Sequence, residues 1–287
     1  MQINIELPKS FQSKDIRTLL ENDWLVPRKV RHFLRTRKNV QVNGTVKMFH
    51  ELVSAGDVLT LTFEESDYPE SRILLGNQKN CLVLYEDEQL IVLDKPDGMK
   101  THPNQPNEND TLLNHLADYL VEKGETPYVV HRLDKETSGA ILFAKNPFIL
   151  PILGRMLEKK EIHRQYQAVV NGIVCPLDFT INKKIGRDRH DRRKRVIDEK
   201  NGRQAITHVH VVKANKKNNQ SKLEITLDTG RTHQIRVHLL SINHAILGDP
   251  LYYTKGASRL MLHAKKLYFK HPLTLETIFV ETKEGLF

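Results

Sequence analysis

Cysteine is almost missing from this chain, with only Cys81 and Cys175 among 287 residues. Both fall in apolar, strand-like stretches and read as buried thiols, which argues against a disulfide framework and suits a reducing compartment. No cysteine pair accompanies the 14 histidines. His233 and His238 are five positions apart, a spacing that does not align two ligands on one helix face as four does. They and the strand pair His208 and His210 read as packing residues or as contacts to a partner, and no metal is expected. Long apolar runs are missing too. Nothing approaches the roughly 20 residues of a membrane span, no signal-peptide pattern is present, and the mean hydropathy is -0.47. The expectation is a soluble, cytoplasmic protein with no membrane partner. No internal repeat or low-complexity tract occurs.

Acid is the minority charge, 35 Asp+Glu against 44 Lys+Arg, for a formal net charge of +9. A surplus of this size favours a polyanionic partner, because neutralising phosphates releases counterions. The length suffices for two domains. Residues 64–70 interrupt the apolar periodicity and residues 76–80 are polar and turn-rich. The expected division is therefore a domain over 1–67, a linker over 68–79 and a second domain over 80–287.

In the first segment, Ser13 reads as the cap of a helix through Ile16, Leu19 and Leu20. Pro27 reads as the first-turn residue of a second helix with Val30, Phe33 and Leu34 on its apolar side. Arg28, Lys29, Arg31, Arg35, Arg37 and Lys38 fill its other positions without an acid. A solvated face is the plain alternative, but a merely soluble face mixes both signs, so phosphate binding is favoured. Residues 40–42 read as a strand before an Asn43-Gly44 turn, and 56–62 as a turn and an alternating strand.

In the second segment, residues 82–85, 90–93, 166–170, 208–212 and 223–227 read as strands. Leu112, Leu113, Leu116 and Leu120 fall at helical spacing behind Asp110 or Thr111 as cap. Strands do not alternate with long helices, so the expected class is α+β with a mixed, mainly antiparallel sheet. Lys183, Lys184 and residues 187–195, including Arg192 and Arg193, look too polar to pack. They read as a mobile loop that orders on its partner, or as a plain solvated loop, since two acids interrupt them.

His131-Arg132-Leu133-Asp134-Lys135-Glu136-Thr137-Ser138-Gly139 stands between two apparent buried strands, 128–130 and 140–144. Taken alone, Asp134 reads as the cap of the Thr-Ser-Gly turn. Yet the block resembles the catalytic motif of the RluA/RluD-type RNA pseudouridine synthases. Further blocks resemble the same family in the same order: Lys95-Pro96-Asp97-Gly98 with His102-Pro103, residues 164–172 around Tyr166, Gly230-Arg231-Thr232-His233-Gln234-Ile235-Arg236-Val237-His238, residues 248–252, and Met261-Leu262-His263-Ala264. Arg164 and Lys135 stand where the family often has Lys and Arg, exchanges that keep the charge.

The resemblance implies the pseudouridine synthase fold, with the first segment as a small α/β S4-like RNA-binding domain. It implies an isomerase that detaches uracil from its ribose, turns it over and rejoins it through carbon, with no cofactor. Asp134 would be the essential carboxylate, Arg236 its bidentate partner, which favours the ionised form, and Tyr166 the ring that stacks on uracil and could help move a proton. Arg231 is the second choice as partner and otherwise a phosphate contact. Arg132 lies two positions before Asp134, on the same side of an extended segment, and would fill the gap left by the flipped base. Arg28, Arg31, Arg35, Lys38, Arg192 and Arg193 would hold RNA, ribosomal RNA first and transfer RNA second. The alternative is a catalytically inactive RNA-binding or ribosome-assembly protein of the same fold. A glycosidic-bond hydrolase would need two partnered carboxylates, and these blocks offer one obvious candidate.

Overall fold

The computed structural model describes residues 1–69, 71–283 and 285–286. Glu70 in the polar break and Phe287 at the end of the second segment lie outside them.

In the first segment, β1 (Gln2–Glu6), β6 (Val58–Thr62), β3 (Val40–Val42) and β4 (Thr45–Val46) form a four-stranded sheet in that order. Asn43 and Gly44 both take positive φ, 50° and 77°, as a two-residue hairpin turn requires. The short strands β2 (Lys14–Asp15) and β5 (Leu52–Val53) pair beside it. The cap of the first helical turn, α1 (Ile16–Thr18), is Asp15 and not Ser13: its carboxylate accepts the Thr18 N–H at 2.9 Å. A wider turn, Leu19–Asp23, continues it. Pro27 immediately precedes α2 (Arg28–Thr36), which buries Val30 and Leu34 and leaves Arg28 and Arg35 exposed.

The second segment contains β7 (Val83–Glu86), β8 (Leu90–Lys95), α3 (Leu112–Val121), β9 (Tyr128–Val129), β10 (Ser138–Ala144), α4 (Leu150–Glu158), β11 (His163–Asn171) and β12 (Asp178–Asn182). After these come β13 (Ile185–Arg187), β14 (Arg195–Ile197), β15 (Ile206–Asn215), β16 (Gln220–Leu227), α5 (Gln234–Leu240), β17 (Leu262–Lys270) and β18 (Thr277–Glu281). A ten-stranded sheet runs β12-β15-β16-β11-β17-β10-β8-β7, with β18 on β17 and β9 on β10. All these pairings are antiparallel except β10 with β17, so the sheet is mixed and mainly antiparallel as expected.

Strand alternation gives the sheet two apolar faces. Ile91, Leu93, Ile141, Phe143, Tyr166 and Ala168 belong to one core, with α3 and α5 packed on it. Leu90, Val92, Ala140 and Leu142 belong to the other, together with α4 and the first segment's own core. Phe148 joins the two segments, edge-on to Trp24 at 5.6 Å and tilted against Phe63 at 5.9 Å. Arg155 adds hydrogen bonds to the carbonyls of Asn22 and Asp23. Burying aromatic rings of this size contributes roughly 1.5–3 kcal/mol each, so the first segment is fastened behind the sheet, away from the face that carries the motifs.

Three expectations need correcting. Cys81 is half-buried, packed at the margin of one core, and Cys175 is exposed, so neither is the fully buried thiol expected; each sits outside the strands. The stretch 128–130 supplies only a two-residue, half-buried strand, because the chain leaves the sheet early to form the loop holding Asp134. Most of the basic insertion, residues 188–194, is a loop as expected, but it stands at the tip of a short hairpin, β13–β14, that the expectation did not include. Ile185 and Ile197 give it an apolar base against Ala205, Val237 and Tyr252, which counting charges along the sequence had obscured.

Candidate active site

The loop between β9 and β10 is held from below. The Thr101 hydroxyl donates to the Leu133 carbonyl at 2.9 Å and accepts the Leu133 N–H at 3.2 Å. Lys95, fully buried, donates to the carbonyls of Pro96 at 2.8 Å, Met99 at 2.7 Å and Lys135 at 3.0 Å. Asp134 thus has its chain neighbours pinned on both sides. Beyond it, Gly139 has φ +111°, and a Cβ there would lie 2.2 Å from the Ala264 carbonyl oxygen. Only glycine allows β10 to pair with β17 at that point.

The turn closes through the backbone, Thr137 N–H to the Asp134 carbonyl at 3.1 Å. The Asp134 carboxylate does not cap it. Oδ2 instead accepts from Arg236 Nη1 at 3.2 Å. Arg236 is buried at 2 % exposure on α5 and spends its bidentate fork elsewhere, Nε and Nη2 donating to Asp249 at 2.8 and 2.7 Å. The expected two-pronged clamp on Asp134 is therefore a single contact. Burial acts to lower the Arg236 pKa, but its hydrogen bonds to Asp249 and the charges of both carboxylates raise it on balance. Asp249 also accepts the Leu251 and Tyr252 N–H groups at 2.9 and 3.1 Å. The guanidinium is thus fixed by Asp249, and Asp134 Oδ1 has no hydrogen-bond partner among the described residues.

Gln234 shapes the approach to α5. Its carbonyl oxygen accepts from the Thr229 hydroxyl at 2.8 Å and the Arg231 N–H at 3.0 Å, while its amide donates to the Ile206 carbonyl at 2.9 Å and the Thr207 hydroxyl at 3.1 Å. This ties residues 229–234 to β15. The tyrosine comes from β11, opposite an irregular register where Gln165 faces Lys266 and Tyr166 faces Ala264, leaving Lys265 as the extra residue of a bulge. Bulges re-aim side chains next to sites. Burial, offset in part by Arg164, raises the Tyr166 pKa, so its hydroxyl keeps its proton at neutral pH.

These elements enclose a cavity of about 300 Å³ lined by Asp134, Tyr166, Arg132, Arg164, Arg231, His233 and Arg236, with Leu133, Leu227 and Leu262 as apolar walls. Of the expected site residues, Asp134, Arg236, Tyr166, Arg132 and Arg231 all line it. Arg231 is exposed at the rim, its Nε donating to the Gln204 carbonyl at 3.1 Å. Arg28, Arg31 and Arg35 line a separate groove with Arg17, in which Arg31 pairs with Glu21. Lys38 is exposed past the end of α2 with φ 57°. Arg192 and Arg193 are exposed at the tip of the β13–β14 hairpin, Arg193 pairing with Asp191 at 2.9 Å.

Reading the sequence missed the roles of Lys95, Thr101, Asp249 and Tyr252. Asp249 did carry a signal, a charge inside an apolar run, since charges are seldom buried unless partnered. Among the described residues no three His, Cys, Asp or Glu side chains are grouped to hold a metal ion, and no helix is long and apolar enough to cross a membrane. His208 bonds Thr180 at 2.9 Å and His210 bonds Asp178 at 2.7 Å.

Comparison with known proteins decides the family. Residues 89–241 match the family described as RNA pseudouridylate synthase. The chain belongs to that family. Residues 3–59 match the N-terminal domain of RluD ribosomal pseudouridine synthases. Similar proteins include the RNA pseudouridine synthase YhcT of Bacillus subtilis, 40% identical over 253 residues, covering 86% of this chain and 82% of that protein. Ribosomal large subunit pseudouridine synthase D of Neisseria meningitidis serogroup B is 41% identical over 258 residues, covering 84% of this chain and 68% of its own. Among solved structures, the human RNA pseudouridylate synthase domain containing 1 has a TM-score of 0.57 at 25% identity, covering 73% of this chain and 85% of that one. The fold of this synthase is accordingly the pseudouridine synthase fold.

Two expected outcomes arise here. Lys95→Met leaves the carbonyls of Pro96, Met99 and Lys135 without the buried cation that ties them together. It should lower the unfolding free energy by about 3 kcal/mol, read from urea titration. Conversion should slow as well, since the Lys135 carbonyl adjoins Asp134. The second outcome concerns acid. Burial, reinforced by Arg164, pushes His131 down to about 3, and its Nε2 accepts the Leu142 N–H at 3.2 Å. Burial would raise Glu86, but hydrogen bonds from Lys123, Lys145 and Tyr119 outweigh it and hold Glu86 at about 2. Both groups are depressed in the folded state, so the unfolded chain binds more protons in acid. Stability should fall as pH drops from about 6.5 towards 3 through His131, and from about 4.5 towards 2 through Glu86. Urea midpoints at successive pH values would show it, and a flat profile between pH 6.5 and 3 would contradict it.

Proposed function

We propose that this synthase isomerises specific uridines of ribosomal RNA, by flipping the base into the cavity beside Asp134. Asp134 supplies the essential carboxylate, Arg236 orients it, and Tyr166 stacks on the uracil. Arg132 enters the space vacated by the base, and Arg231 holds the neighbouring phosphate. The observation that carries this reading is one oxygen of Asp134 bound to a buried arginine, 3.2 Å away, in a cavity it shares with Tyr166. Extruding a base costs a few kcal/mol, least where it is unpaired, so a loop uridine is the fitting target.

Ribosomal RNA, ahead of transfer RNA, is supported by relatives in Neisseria and Xanthomonas named for the ribosomal large subunit. Residues 1–67 act as an S4-like RNA-binding domain, 68–79 as a linker, and 80–287 as the catalytic domain, in the cytoplasm and without a cofactor. Arg28, Arg31, Arg35 and Lys38 grip phosphates from the first domain, and Arg192 and Arg193 do so from the hairpin. Mapping pseudouridines in total RNA from cells lacking this chain tests the proposal. One or a few ribosomal positions should revert to uridine, and an unchanged ribosomal map would refute the substrate assignment.

A further inference from the structure

The isomerisation moves a proton as well as a base, and the site contains a group suited to carry it. Once uracil is rejoined through carbon, C5 holds both its hydrogen and the new bond to the ribose C1′. To finish, the C5–H bond must break, its electron pair forming the C5=C6 double bond while the C6=N1 pair moves onto N1. N1 then takes up one proton. C5 loses what N1 gains, so a single base can serve both steps.

Two imidazoles line the cavity, His131 and His233. His131 is committed, its Nε2 accepting the Leu142 N–H. His233 is differently placed. Its Nδ1 lies 2.9 Å from the Tyr252 hydroxyl. That hydroxyl accepts the Arg195 N–H at 2.7 Å and donates its only proton to the Arg195 carbonyl at 3.2 Å. With that proton engaged by the carbonyl, Nδ1 is the nitrogen that donates to Tyr252 and Nε2 the one that carries the lone pair, and the ring is taken in this tautomer. Nε2 stands 3.9 Å from Asp134 Oδ2, beyond hydrogen-bond reach, and makes no hydrogen bond among the described residues. The backbone is bent to set it there, since His233 has φ 57° and ψ 21°, the left-handed region that a non-glycine residue rarely adopts.

We propose that His233 is a catalytic residue of this synthase, its Nε2 removing the C5 proton of the rejoined uracil and returning it to N1, with the Tyr252 hydroxyl, held on the Arg195 backbone of β14, positioning the ring. This rests on the assignment of Asp134 and its cavity as the site of isomerisation. Burial lowers the His233 pKa; Arg236 and Arg195 act the same way, Asp134 and Asp249 oppose them, and the imidazole is neutral at neutral pH. Tyr166, which also lines the cavity, has its pKa raised and holds its proton.

The test uses the full chain and RNA carrying deuterium at uracil C5, comparing wild type with His233→Asn and His233→Gln. Removing a general base costs about 100-fold or more in rate. Both variants should lose that much in kcat, with RNA affinity and melting temperature unchanged. The C5-deuterium isotope effect should rise above the wild-type value, because proton removal has become the slow step. A rate within about 10-fold of wild type would overturn the proposal, being below the range of general-base catalysis. So would a slow variant whose isotope effect stays at the wild-type value, which marks a positioning role. If wild-type protein converts no uridine at all, the assignment of the site fails instead.

Discussion

Asp134→Asn should abolish pseudouridine formation while leaving the fold and RNA binding intact. The substitution keeps size and shape but removes the negative charge that attacks or deprotonates, so conversion should fall at least about 1000-fold. The folding cost should be small. Asp134 is one-fifth exposed and makes one side-chain hydrogen bond, to an arginine whose fork is already held by Asp249. Nucleoside analysis of RNA after incubation gives the rate, and filter binding gives the affinity. Equal loss of binding and conversion would mean that Asp134 acts through RNA contact and not through chemistry.

Arg236→Met should be the most damaging change to stability. It strips the guanidinium from Asp249, which is 1 % exposed, and leaves a buried carboxylate with only two backbone donors. Removing one partner of a buried ion pair costs about 3–5 kcal/mol. Urea unfolding should show a loss in that range, and activity should disappear with the orientation of Asp134. Arg236→Lys restores a charge without the fork. It should recover part of the stability and little of the activity. A change below about 1 kcal/mol for Arg236→Met would show that the buried pair is not what holds α5 against the Asp134 loop.

Much of this was legible in residue order, for identifiable reasons. Short apolar runs marked β8 and β10, apolar alternation marked β15 and β16, a strand-like stretch marked β11, and the capping Thr111 marked α3, because local patterns report local structure. Asp134, Arg236 and Tyr166 were legible because each sits in a dense, ordered block. Their mutual geometry was not. Asp134 and Arg236 are 102 positions apart, and nothing in the chain announces that the fork of Arg236 belongs to Asp249. The short β13–β14 ladder under the basic loop was not legible because its apolar base, Ile185 and Ile197, is split by a run of charge. Cys81 and Cys175 were misread because apolar neighbours in sequence need not be neighbours in space. Asp15 displaced Ser13 as a cap because only the fold shows which carboxylate reaches the Thr18 N–H.

The central claim is that a carboxylate steadied by a buried guanidinium isomerises uridine in RNA. Its most direct test is tritium release from RNA labelled at uracil C5, taken from cells lacking this chain and incubated with the wild-type protein. Release matching the pseudouridine formed, one tritium per converted residue, is the predicted result. Label that stays on the RNA while the protein binds it would contradict the account.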